Sequence, residues 1–229
     1  MCGRFSLDAT LEDLYIALKI KARFNLEARY NIAPGQPILT LRNHPVRVAR
    51  EFAHLGWGLI PGWMKQAPTT GTMINARAET IAEKPSFKAA YARRRCLIPA
   101  TGFYEWKGAN APKQPYYIYL KASPVFAFAG IWEHWTGHDG SEVETAAIIT
   151  AEAAPSLEDI HHRMPVIVRE DDIDTWMRGE VGIADVVQKN IEFSYRPVST
   201  LVNNVANDDA RLIEEHALTL SPQPRDLLG

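Results

Sequence analysis

Apolar positions at Leu11, Leu14 and Leu18 recur with helical spacing in the segment Thr10–Ile20 and share one face of a predicted helix over 10–20. Thr10 stands where an N-cap belongs, and Asp13, three residues later, completes a capping-box pattern. Tyr30 to Pro37 carries Pro34, Gly35 and Pro37 and predicts a structured loop. The pattern then changes to alternation. Residues 38–42 and 46–54 read as a strand pair around Arg42-Asn43-His44-Pro45, with Val46, Val48 and Phe52 on one face and Arg50 interrupting it. A short helix is predicted over 86–92. The middle of the chain is dense in β-branched and aromatic runs at 95–99, 102–107, 115–120, 124–132 and 143–151, separated by turn residues. Helices are expected at 170–178 and 183–189, and a strand at 193–199.

The strands follow one another too closely for a series of strand–helix–strand units. The expected fold class is therefore α+β: a single domain with an antiparallel, barrel-like β core and peripheral helices. Residues 1–220 are assigned to that domain and 221–229, with Pro222 and Pro224, to a loosely held tail. At 229 residues, 46% hydrophobic and 23% charged, the chain can bury a sizeable core without staples. Two cysteines make no disulfide framework and favour a reducing compartment. The opening MCGRFSLDAT has no apolar stretch of the signal-peptide kind, and the longest clean apolar run, Val125 to Trp132, is far short of the roughly 20 residues of a membrane span. A soluble, cytoplasmic protein is expected. A net charge of −2 argues against bulk electrostatic binding to duplex DNA but leaves room for a narrow basic groove. Arg4, Arg77, the run Arg93-Arg94-Arg95, Lys107, Lys113 and Arg163 could line one.

Cys2 is the most informative position. A small residue after the initiator allows Met1 to be removed, which leaves a thiol and a free α-amine on one short frame. An α-amine ordinarily titrates at about 7.7–8.0 and is partly neutral at pH 7, whereas a lysine, near 10.4, is not. With an aldehyde the amine forms a Schiff base and the thiol closes a thiazolidine ring, a step favoured by its intramolecularity. Taken alone, Cys2 also reads as an inert residue near a frayed end. In Met73–Glu79, an extended backbone puts Asn75, Arg77 and Glu79 on one side. That polar face suits a phosphate or sugar, or serves as a solvated strand face with an internal Arg–Glu pair. Glu105 lies among aromatics in Gly102–Lys107, where burial raises a carboxyl pKa and suits it to proton transfer. Alternation alone would equally put it on a solvent face with Phe103 and Lys107. One of His161 and His162 could act as an acid or base. On a strand the two face opposite ways, so a shared metal is not expected, and no other Cys or His spacing resembles a metal site. Trp57 and Trp63 could stack on bases, or fill the core. Cys96 reads as a buried structural thiol.

Taken together, Met1-Cys2-Gly3-Arg4-Phe5, Tyr30–Gly35, Trp57-Gly58-Leu59-Ile60-Pro61, Ile74–Thr80, Phe103–Lys107 and His161–Pro165 resemble, in order, the SOS-response-associated peptidase family. The resemblance implies that Cys2 captures the ring-opened aldehyde of an abasic site in single-stranded DNA. It implies that Asn75 holds the amine and the sugar, that Glu105 transfers protons, and that His161 helps open the sugar ring. Arg4, Arg77 and Arg163 would be phosphate contacts. Autoproteolytic release of the residues before the cysteine and β-elimination at the Schiff base are further implications; here Met1 alone precedes Cys2. No cofactor, no metal and a monomer are expected. Two other readings stay open: a cysteine hydrolase of the N-terminal-nucleophile type, with His161 as base and Glu105 orienting it, and a single-stranded DNA-binding module without chemistry.

Overall fold

A computed structural model describes residues 2–68, 73–108, 113–188 and 190–216. The assigned tail at 221–229 lies outside the described residues. In chain order the strands are β1 (Phe5–Leu7), β2 (Arg29–Ile32), β3 (Pro37–Asn43), β4 (Arg50–Trp57), β5 (Asn75–Arg77), β6 (Arg95–Ala100), β7 (Gly102–Lys107), β8 (Gln114–Tyr119), β9 (Phe126–Thr136), β10 (Glu142–Glu152), β11 (Arg163–Pro165), β12 (Ile167–Val168) and β13 (Ser194–Pro197). The helices are α1 (Leu11–Leu18), α2 (Lys88–Arg93), α3 (Ile173–Arg178) and α4 (Ile183–Val186).

The fold is α+β with a closed β barrel at its centre. The ring runs β10-β4-β3-β6-β9 and returns to β10, because β9 and β10 also pair. A second sheet, in the order β13-β8-β7-β1-β2, lies against it. Most pairings are antiparallel, as the sequence predicts, but two are not. β10 runs parallel to β4, with Thr145 opposite Gly56, and parallel to β5, with Ile148 opposite Asn75. Those pairs join distant segments, so no local turn signal announces them.

Helix α1 forms because both halves of its capping box are made. The Thr10 hydroxyl accepts from Asp13 N–H at 3.1 Å and the Asp13 carboxylate accepts from Thr10 N–H at 2.9 Å. Leu14 and Leu18 are its buried face. The hairpin between β3 and β4 has its second strand starting at Arg50, later than the residue 46 that the alternation predicts. Its tip, from His44 on, is a turn in which the His44 ring nitrogen accepts from the Val46 and Arg47 amides, both at 3.0 Å. Val46 and Val48 are exposed there, 87% and 110%, instead of sharing a face with Phe52. The tip projects past the barrel wall and finds no surface to pack on. The segment Tyr30–Pro37, predicted as loop, begins as strand β2, which adds to the edge of β1.

The core lies between barrel and sheet. Phe5 packs edge-on against Trp57 at 5.2 Å and Phe128 at 5.7 Å, and Phe103 against Phe128 at 6.1 Å. Gly102 permits a close approach: a Cβ there would stand 2.2 Å from the Tyr117 ring. The Tyr117 hydroxyl shares a hydrogen bond with Ser6 at 2.9 Å, which ties β8 to β1.

The N-terminal strand is held from the far end of the sequence. Asn31, fully buried, donates through Nδ2 to the carbonyls of Val202 (3.3 Å), Asn204 (3.1 Å) and Asn207 (2.6 Å). Its Oδ1 accepts from Arg4 at 2.7 Å, and the same Arg4 nitrogen donates to the Val202 carbonyl at 2.7 Å. Asp208 accepts from the Asn31 amide at 3.0 Å and pairs with Arg29. Residues 202–208 thus fasten β2 and, through Arg4, the chain two residues beyond Cys2.

Candidate functional site

Cys2, Asn75, Glu105 and His161 come from four separate stretches of sequence, and two contacts and one electrostatic interaction link them. The Asn75 side-chain amide donates to the Cys2 carbonyl at 2.9 Å. Glu105 is close enough to Cys2 for its charge to act on the thiol. The Glu105 carboxylate lies 3.9 Å from His161 Nε2.

Local structure explains each placement. In β5 the period of two puts Ala76 into the core, fully buried, and leaves Asn75 and Arg77 on the other side. In β7 Tyr104 and Trp106 face a small cluster with Val198 and Val202, so Phe103 and Glu105 face the barrel side. Glu105 is therefore 4% exposed, on the buried face and not the solvent face that alternation alone would equally allow. His161 follows the turn after Leu157 and precedes β11, with its ring partly open to solvent.

Burial dominates the electrostatics. It pushes the Cys2 thiol above the ordinary thiol range, and the Glu105 charge adds to that. Burial raises Glu105 as well, favouring its neutral acid form. It lowers His161 from 6.5 to about 4, so the ring is neutral at pH 7. His161 Nδ1 stands against the Arg163 backbone, 2.9 Å from its N–H and 3.1 Å from its carbonyl oxygen, and Nε2 faces Glu105. The His162 ring stacks on His161 at 4.4 Å. The Oδ1 of Asn75 is buried and, among the described residues, accepts no hydrogen bond. A buried amide oxygen without a donor is costly, and this one belongs to the amide that holds the Cys2 carbonyl.

The remaining residues divide. Arg77 is exposed and among the described residues carries no ion pair. Arg163 is 9% exposed and its guanidinium forks onto Glu79 at 2.7 and 3.0 Å while donating to the Thr150 carbonyl at 2.6 Å. It is a structural ion pair, and the Arg–Glu pair expected within 75–79 is made with Arg163 and not Arg77. Arg4 is spent on Asn31 and Val202 and lies 5.9 Å from the Trp106 ring. Trp57 is fully buried with its indole N–H donated to the Ile74 carbonyl at 3.0 Å, so it belongs to the core and not to a stacking surface. Trp63 is 63% exposed. The sequence pattern does not single out Asn31 as an individual residue, although its segment carries a distinctive motif, whereas Glu79 is picked out with Asn75 and Arg77 on one face. A cavity of about 500 Å³ lies beside the four residues and not on them, lined by Ala78, Glu79, Ala151, Glu152, Ile183 and Val187 among others. Among the described residues no three or more His, Cys, Asp or Glu stand together as a metal site, and no helix is long and apolar enough to cross a membrane.

The barrel brings Cys2 together with an amide, a carboxyl and a neutral imidazole, and comparison with known chains identifies the class of protein. The chain belongs to the SOS response associated peptidase (SRAP) family, whose sequence profile matches residues 1–205. It is similar to the abasic site processing protein YoaM of Bacillus subtilis (strain 168), 39% identical over 93% of this chain and 98% of that one. It is also similar to the abasic site processing protein YedK of Escherichia coli (strain K12), 36% identical over 93% and 99%. A crystal structure of a protein from Bacteroides thetaiotaomicron superposes with a TM-score of 0.78 at 26% identity, covering 94% of this chain and all of that one.

Proposed function

We propose that this protein processes abasic sites in single-stranded DNA, bonding covalently to the sugar aldehyde through Cys2 once Met1 has been removed. The observation that carries the reading is the convergence of Cys2 with Asn75, Glu105 and His161.

The chemistry follows from the protonation states. The free Cys2 amine attacks C1′ of the ring-opened sugar, a C–N bond forms, and loss of the aldehyde oxygen as water gives the Schiff base. The thiol sulfur then adds to the imine carbon while the thiol proton passes to the nitrogen, closing a thiazolidine. The sum is aldehyde plus cysteine giving ring plus one water. Because Cys2 is held as a neutral thiol, ring closure needs a base close by, and the Glu105 carboxylate is the nearest candidate; protonated, the same group can donate to the departing oxygen. Neutral His161, with Nε2 toward Glu105, can pass protons between that carboxyl and the solvent-facing side. Asn75 holds the Cys2 carbonyl, which orients the amine, and offers its Oδ1 to the amine or a sugar hydroxyl. Arg77, exposed and on the same side of β5 as Asn75, is the residue assigned to a phosphate on this reading. Proton removal next to the Schiff base would give β-elimination, and attack on the Met1–Cys2 bond a peptidase step. Both cysteines are free thiols, in keeping with a reducing cytoplasm.

The test mixes Met1-free protein with single-stranded DNA containing one abasic site and separates the products under denaturing conditions. A protein–DNA band that depends on Cys2 is expected. Its absence from fully processed protein would overturn the reading in favour of a cysteine hydrolase or a simple binding module.

A further inference from the structure

The groove beside the site has a chemistry that the proposed reaction does not use. Its walls include Ala78, Ala151, Ile183 and Val187, and two carboxylates, Glu79 and Glu152, stand in it. Its volume of about 500 Å³ is within the usual range for small-molecule sites. Among the described residues that line it there is no cation to welcome phosphate, and its acidic groups repel one. Apolar walls with carboxylate acceptors instead match the face and amino edge of a nucleobase, since Glu accepts readily from an exocyclic amine. Glu79 is partly engaged by Arg163, but an ionised carboxylate has about four acceptor positions. Among the described residues nothing pairs with the Glu152 carboxylate.

The groove wall is also joined to the site along one strand. β5 carries Asn75 beside Cys2, then Arg77 about 7 Å further on, and leads directly into Ala78 and Glu79 in the groove wall. The other wall, Ala151 to Ala153, meets the histidines, because the Ala153 amide donates to the His162 carbonyl at 3.1 Å. Resting on the proposed function, this order corresponds to sugar, phosphate and neighbouring base.

We infer that the groove binds the base of a nucleotide next to the abasic site and selects for an exocyclic amine, so that adenine, cytosine or guanine is preferred to thymine on one side of the lesion. The preference is a property of binding and is independent of crosslinking. It is read from the affinity of single strands that carry a tetrahydrofuran abasic analogue, which has no aldehyde, flanked on each side in turn by A, C, G or T. Thymine on one side should weaken binding about tenfold, the effect of one good hydrogen-bonded base contact. Glu152→Ala should reduce that ratio to about twofold or less, and Ala184→Trp, which fills the groove from an exposed position, should do the same. Equal affinity for all four bases on both sides overturns the inference. So does a preference that both variants leave intact. A parallel arm with true abasic DNA separates the two claims: a thymine penalty without any crosslink would refute the proposed chemistry and leave the groove standing.

Discussion

Replacing Asn31 by alanine tests how the N-terminal strand is held. The residue is fully buried; its two amide N–H groups are shared among the carbonyls of Val202, Asn204 and Asn207, and its Oδ1 accepts from Arg4. Two donated and one accepted bond at about 1 kcal/mol each contribute about 3 kcal/mol. Water reaching the emptied site would rehydrate some of the partly buried carbonyls, and Arg4 keeps its bond to Val202, so the net loss should be about 2 kcal/mol. For a chain of this size that lowers the melting temperature by about 4–8 °C, measured by circular dichroism or calorimetry. Asn31→Asp is the informative control. It keeps the acceptor for Arg4 but turns a carboxylate toward three carbonyl oxygens. Its folded-state pKa should therefore be raised, so stability relative to wild type should recover as pH falls and the acid form regains a donor. Because Arg4 is two residues from Cys2, crosslinking by Asn31→Ala should fall with stability. A melting temperature for Asn31→Ala within about 2 °C of wild type would show that the 202–208 segment is fastened by something else.

Met1-retaining protein should bind abasic DNA without crosslinking, because its Cys2 nitrogen is an amide; intact mass and gel assays should show processing and crosslinking rising together. Cys2→Ala should abolish stable crosslinks and leave binding nearly intact, while Cys2→Ser keeps the amine and should give only a reversible Schiff base, trapped by borohydride. Arg163→Ala should cost about 2–3 kcal/mol in stability, at the lower end for a buried pair because Glu79 is 46% exposed, whereas Arg77→Ala should reduce the salt dependence of DNA binding at unchanged stability; the reverse pattern would exchange their roles. His161 should titrate at about 4 by NMR and not at 6.5. Its folded pKa lies below the unfolded value, so the unfolded chain binds more protons between those two pH values. Stability should therefore fall on acidification from about 6.5 to 4, and His161→Phe should flatten that slope.

Much of this arrangement is legible in the sequence because the relevant signals are local. Thr10 and Asp13 mark a helix start that the structure builds with both cap bonds. Alternation in 102–107 correctly groups Glu105 with Phe103, but cannot say which face is covered, since that depends on the barrel packed behind it. The same limit explains Trp57: an aromatic next to glycines looks the same whether it faces a base or Phe5. Arg163 looks like a phosphate ligand because its partner, Glu79, lies 84 residues earlier and meets it only through β10. Val46 and Val48 fit strand alternation, but a hairpin that outruns its barrel has nothing to bury them against. The parallel pairings of β10 have no sequence signature, since β4 and β5 reach it from far earlier in the chain.

The clamp on Asn31 and Arg4 also imposes an order in time. A chain of this length takes roughly 10–45 s to synthesise at about 5–20 residues per second. Throughout that interval the carbonyls of Val202, Asn204 and Asn207 and the carboxylate of Asp208 are unmade or only just emerging. Until they arrive, the first residues have no fixed place beside Asn75 and Glu105. On the proposed function, an enzyme trimming Met1 from the growing chain would meet a loose end, and Cys2 would become a placed nucleophile only once residues 202–208 have emerged.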